Sequence, residues 1–173
     1  MSEQINMSSL ASTMLQVVLP ALIGLAGVVI GGTLQQRAQT RAARAADLAV
    51  HQQAVRDTVV RLAYALSVHR GHLYDRWDFA HNVTATQAET AQARRTSKAS
   101  RSEVTRALYQ LRTLTQNPDL LAAADTAVTA TYTVKAKGEN LAAVTQQDLA
   151  ERHRRATTAD HALLAACTQH LTR

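Results

Sequence analysis

The side chains that could bind or transform a ligand fall into three groups. The first is His69-x-x-His72, whose spacing puts two imidazoles on one face of a helix, as a metal site requires. Gly71 weakens a helix at that point and His81 lies far along the chain, so packed or partly exposed histidines are the expected outcome. The second is Cys167, the only cysteine, with His170 three residues on. It falls on an apolar stripe with no credible base beside it, so a packed thiol is expected, with no internal disulfide and no multi-cysteine metal site. The third is a basic stripe, Arg94, Lys98 and Arg101 at i, i+4 and i+7, with Arg95, Arg106 and Arg112 close by. Such a stripe can meet phosphates of nucleic acid or lipid, but no aromatic interleaves with it before Tyr109 to stack on bases. A solvated helix face is the favoured reading, and phosphate contact through Arg94, Arg95, Lys98 and Arg101 is the alternative. A phosphate-binding glycine loop, a Gly-x-Ser-x-Gly elbow, a His-Glu-x-x-His pair and paired carboxylates in an apolar setting are all missing from the sequence. The expectation is a protein without catalytic residues, cofactor, metal or small-molecule substrate.

The elements that hold these groups follow from composition. Hydrophobic residues make up 46% of the chain but aromatics only 3%, and roughly a fifth of all residues are alanine. Alanine has the highest helix propensity and removes little apolar surface from water, which favours long helices with shallow packing. Alternating β-branched and polar patterns are missing, so the expected class is all-α. The net charge of +6 and pI of about 10.1 suit anionic headgroups, phosphates or acidic partners.

One stretch stands apart. From Gln4 to Gln36 the sequence has no ionisable side chain, and within it Val17–Leu34 is almost wholly apolar. With Met14 and Leu15 the apolar part is about 21 residues, or ~31 Å as a helix, against a hydrocarbon core of ~30 Å. We read 14–34 as a transmembrane helix after a short polar tail, 1–13, with 35–173 as an α-helical domain. The tail has no Lys or Arg, the apolar stretch is too long and no lipobox cysteine follows, which favours an uncleaved anchor over a signal peptide. Arg37, Arg41 and Arg44 follow the span on one helical face, in reach of inner-leaflet phosphates. This charge asymmetry places the N-terminus outside and the C-terminal domain in the cytoplasm. Gly24, Gly27 and Gly31 form a small-residue face that would let two spans pack closely.

Beyond the span, Leu48, Val55, Val59, Leu62, Leu66, His69 and Leu73 keep the 4–3 spacing of a heptad seam, with Gln52 in the one gap. The pattern does not say whether the seam packs within the chain or against a second copy. The helix is expected to reach about Leu73, followed by an aromatic-rich junction with Tyr74, Trp77 and Phe79. A second helix should start at Thr84 or Thr86, since Thr84 with Gln87 and Thr86 with Glu89 both spell a capping box. Its later half carries Val104, Ala107, Leu108, Leu111 and Leu114 inward. Asn117-Pro118 should close it and open a third helix running to about Lys135, with Leu121, Ala124, Val128 and Tyr132 on one side. The clearest turn is Lys135–Asn140. Thr145-x-x-Asp148 should begin a last helix, with Leu149, His153, Ala156, Leu163, Leu164 and Cys167 as its inner stripe. The expected domain is a bundle or antiparallel coiled coil of three to four helices.

A single N-terminal anchor, the arginines of QQRAQTRAARAADLAVHQQAVRD, and an Ala/Arg/Thr-rich helical remainder containing RLAYALSVHRGHLYDRW resemble small membrane proteins of Streptomyces conjugative plasmids and integrating elements, in particular the KilB plasmid transfer and spread proteins. The resemblance implies an accessory role in plasmid transfer or spread at the membrane, and it carries over no catalytic residue. On this reading the protein is a membrane-bound helical adaptor that contacts lipid, forms a homo-oligomer and recruits other transfer or spread proteins. The alternatives are a tethered nucleic-acid binder using the basic stripe, and a membrane-damaging protein of the killer or holin kind. The last suits the segment poorly, since a pore needs polar lining residues.

Overall fold

A computed structural model describes the backbone of residues 7–136 and 138–172, and the side chains of 35–36, 39–136 and 138–172. Among the described residues every regular element is helical: α1 (Met7–His81), α2 (Gln87–Leu114), α3 (Pro118–Tyr132), a 3₁₀ turn (Leu141–Ala143) and α4 (Gln146–Leu171). The chain divides into two units, 1–49 and 50–173. The expected span at 14–34, with Gly24, Gly27 and Gly31, and the flanking Arg37 lie outside the described side chains. Among the described residues no helix is long and apolar enough to cross a membrane.

The helix starts in 50–173 are set by local chemistry. Thr86 caps α2: its hydroxyl accepts from the Glu89 amide at 3.2 Å, and the Glu89 carboxylate accepts from the Thr86 amide at 2.8 Å. The competing start at Thr84 is occupied by an Asx turn, in which the Thr84 amide and hydroxyl both donate to Asn82 Oδ1. Asn117 caps α3 ahead of Pro118, and Thr145 caps α4 by accepting from the Asp148 amide. Gly138 takes φ +81°, which lets the chain turn between α3 and the 3₁₀ segment. Replacing Thr86 with Ala should lower stability by about 1 kcal/mol, read as a shift in the urea midpoint of unit 50–173. An unchanged midpoint would show that α2 does not depend on this cap.

Unit 50–173 is organised around two apolar clusters. The larger joins Val55, Val59, Leu62 and Leu66 of α1 to Val104, Ala107 and Leu111 of α2, Leu120, Ala124 and Val128 of α3, and Leu163 and Cys167 of α4. The heptad seam is therefore filled from within the chain from Val55 onward, and only its first apolar member, Leu48, stays exposed. The smaller cluster joins Leu73 to Val134, Leu141, Val144, Leu149 and Ala156, with Tyr74 and Trp77 packed on it. Trp77 Nε1 donates to the Val144 carbonyl at 2.8 Å, so the expected aromatic junction exists and ties α1 to the start of α4. It does so without ending α1, which runs through Gly71 to His81 and not only to Leu73. One glycine costs a helix about 1 kcal/mol, less than the burial on either side of it returns.

Between the clusters lies a polar layer. Arg70 falls between Leu66 and Leu73 on α1, Thr131 between Val128 and Val134, and Asp160 between Ala156 and Leu163 on α4. All three are buried, and Arg70 donates to Asp160 Oδ2 at 2.6 Å and to Thr131 Oγ1 at 3.1 Å. Burial pushes the Asp160 carboxyl above its ordinary pKa, and the Arg70 guanidinium pulls against that shift. The inner stripe of α4 needs one correction. Leu149, Ala156, Leu163 and Cys167 face inward, but Leu164 is 39% exposed because Asp160 and Leu163 already define the buried edge.

Candidate functional site

The chemical groups singled out from sequence separate in the fold. Cys167 is buried in the larger cluster, and burial pushes its thiol above the ordinary value, which disfavours the thiolate. His170, its sequence neighbour, bonds the Asn117 side-chain amide at 3.0 Å instead. His69 and His72 also part: His69 Nδ1 bonds Ser100 Oγ at 2.9 Å inside the fold, whereas His72 turns to Asp75. Among the described residues no group of His, Cys, Asp and Glu could hold a metal ion.

The basic stripe behaves differently. Arg94, Lys98 and Arg101 line a cavity of about 540 Å³ with Ser97 on α2, His69, Leu73 and Arg76 on α1, and Tyr132, Lys135, Ala136 and Gly138 from the end of α3 and the turn after it. Arg76 stands seven residues after His69, so the helical repeat puts both on the wall that faces α2. Lys135 arrives from the other side, carried by the turn that Gly138 permits. Five cationic side chains thus converge, and among the described residues no carboxylate lines the cavity. A second cavity of about 140 Å³ shares Arg76, Arg94 and Lys135. Its one acid, Glu139, is held by Arg152 in two bonds of 2.8 Å. Arg95, one residue off the stripe, does not line either cavity. Arg106 and Arg112 are paired with Glu103 and Asp125.

The charges within the cavity repel one another. Among the described residues none of Arg76, Arg94, Lys98, Arg101 and Lys135 forms an ion pair. Burial, then the charge of Arg94, lowers the Arg76 pKa. Burial, then Arg76, lowers that of Lys135, against a weaker opposing pull from Glu139. The Arg101 guanidinium lies 4.3 Å from the centre of the Tyr132 ring, and the His69 ring meets the same tyrosine edge-on at 5.7 Å. Tyr132 therefore positions Arg101 and has little free face of its own. Sequence reasoning found the α2 part of this wall but missed Arg76 and Lys135, and it read as a solvated stripe what is one side of a concavity. Helical periodicity could have grouped His69 with Arg76; nothing local points to Lys135.

Burial, then the charges of Arg101, His72 and Arg76, lowers the His69 pKa from 6.5 to about 4, against a hydrogen bond to the Ser97 backbone. The folded chain prefers the neutral imidazole, so this contribution to stability is complete above the unfolded value and declines as pH falls from 6.5 toward 4. His153 is pushed the same way by burial and by Arg70. Urea midpoints should fall between about pH 7 and about pH 4.5, and His69→Asn should flatten that decline. Equal pH slopes for the two proteins would mean that His69 does not contribute.

Residues 56–171 match the KilB plasmid transfer protein family, well over half of the chain. The chain belongs to the KilB family. The match begins at Arg56, next to the first buried residue of the larger cluster, and ends at Leu171, the last residue of α4. The matched range therefore covers most of the four-helix unit, 50–173. No curated protein and no solved structure matches the chain.

Proposed function

We propose that this protein is a membrane-anchored, non-enzymatic accessory of plasmid transfer whose helices after residue 50 serve as an adaptor on the cytoplasmic side. Membership of the KilB family, which places the protein in plasmid transfer, carries this reading. The anchor rests on the run from Gln4 to Gln36, free of ionisable side chains and followed by Arg37, Arg41 and Arg44. Arg41 and Arg44 are exposed, as contact with lipid headgroups requires. Self-association draws support from Gly24, Gly27 and Gly31 alone, because the heptad seam from Val55 onward is occupied by the chain's own helices.

Two measurements test the reading. In a Cys167→Ser background, Ser2→Cys should react with a membrane-impermeant maleimide in intact cells, and Thr172→Cys only after permeabilisation. Recovery in the soluble fraction, or labelling of Thr172→Cys in intact cells, refutes the anchor or its orientation. Crosslinking in mating cells should capture either a second copy or another transfer protein. Monomer alone under conditions that support transfer would remove the adaptor role.

A further inference from the structure

We propose that the cavity between α1, α2 and the turn after α3 is a binding site for a compact ligand carrying two or more phosphate groups. This goes beyond the adaptor reading, which requires no ligand. Five cations from three separate segments face one concavity, with no carboxylate among its described lining residues. Three acids of the same unit are held by arginines outside the cavity, Glu139 by Arg152, Asp125 by Arg112 and Glu103 by Arg106. A merely solvated basic face has no reason to draw charges from different helices into mutual repulsion. A multivalent anion turns that repulsion into charge-assisted hydrogen bonds.

Size and lining narrow the ligand. The volume, about 540 Å³, lies in the range of small-molecule sites, ~300–1,000 Å³. A concavity of that size admits a di- or triphosphate group and is too small to enclose a nucleic-acid duplex. Base stacking is not offered, since Tyr132 is already engaged by Arg101 and His69. Polar groups complete the wall: the Ser97 hydroxyl, which accepts from Arg76 Nη1 at 3.5 Å, and the His69 ring. The shared chemistry is a cluster of phosphates, carried by a soluble nucleotide or by a phosphorylated lipid headgroup.

The test uses the full chain in non-ionic detergent and inorganic tripolyphosphate as the probe. Calorimetry at about 0.1 M salt should show saturable binding of one tripolyphosphate per chain. Arg94→Gln or Arg76→Gln should weaken it roughly tenfold or more, and Arg95→Gln, one position off the cavity, should leave it unchanged. Both cavity variants should melt at or above the parent temperature, because each removes a repulsion, so lost binding cannot be mistaken for lost folding. Binding should also raise the His69 pKa above about 4, followed by NMR of the imidazole. Competition by ATP would identify a soluble source, and competition by nanodiscs containing cardiolipin but not by neutral ones would identify a headgroup. No tripolyphosphate binding, or weakening by Arg95→Gln equal to that by Arg94→Gln, overturns the site. Binding of duplex DNA that tripolyphosphate does not displace, without any tripolyphosphate site, overturns it in favour of a diffuse basic surface.

Discussion

Replacing Asp160 with Ala should cost the 50–173 unit about 3–5 kcal/mol, the largest loss expected from any single change in it. The substitution leaves the Arg70 guanidinium charged, buried and without its 2.6 Å partner, in a layer flanked by apolar residues on both sides. A domain of this size has a total stability of about 5–15 kcal/mol, so much of the variant should be unfolded or close to it at physiological temperature. The companion experiment separates the pair's worth from the penalty of breaking it. Asp160 Oδ1 and Arg70 Nε make no protein hydrogen bond, so the layer is incompletely satisfied as it stands. The double variant Arg70→Met/Asp160→Leu should therefore recover most of the loss in urea unfolding. If the double variant stays as unstable as Asp160→Ala, the pair contributes net stability. If Asp160→Ala itself unfolds at the parent urea midpoint, the carboxylate is dispensable and Arg70 needs no charged partner in the layer.

The second large effect distinguishes two adjacent leucines. Leu163→Ala should cost about 2–5 kcal/mol, whereas Leu164→Ala should cost under about 1 kcal/mol. Leu163 is fully buried in the larger cluster, and Leu164 is 39% exposed. Neighbours in that cluster include Ala107, Ala124 and Ala127, short side chains that cannot reach into the space a lost leucine leaves. Chemical denaturation of both variants checks the ordering. Equal losses would mean that α4 is rotated about its axis from the placement described.

Much of the fold was legible locally. The helix starts near Thr86, at Pro118 and after Thr145, and the turn around Gly138, each depend on residues within four positions of one another. Short-range hydrogen bonds and backbone preference decide such features, and both are written in neighbouring residues. The choice between Leu163 and Leu164 was not legible, because both suit an apolar stripe and a rotation of α4 by part of a turn exchanges them. Asp160 left a signal that was not used: it falls at the i+4 position between Ala156 and Leu163, where a charged residue implies a buried partner.

By itself the sequence determined the helical class, the apolar character of Val17–Leu34, the basic flank after it and the spacing of Arg94, Lys98 and Arg101. These follow from propensity, hydropathy and periodicity, which need no knowledge of what lies across the chain. Only the tertiary structure decided that the heptad seam is satisfied internally, that Arg70 meets Asp160 across ninety residues, and that Arg76 and Lys135 join the α2 stripe around one cavity. Those outcomes depend on which faces of separate helices meet. Many pairings of Ala-rich helices remove similar apolar area from water, and side-chain fit and charge placement select among them.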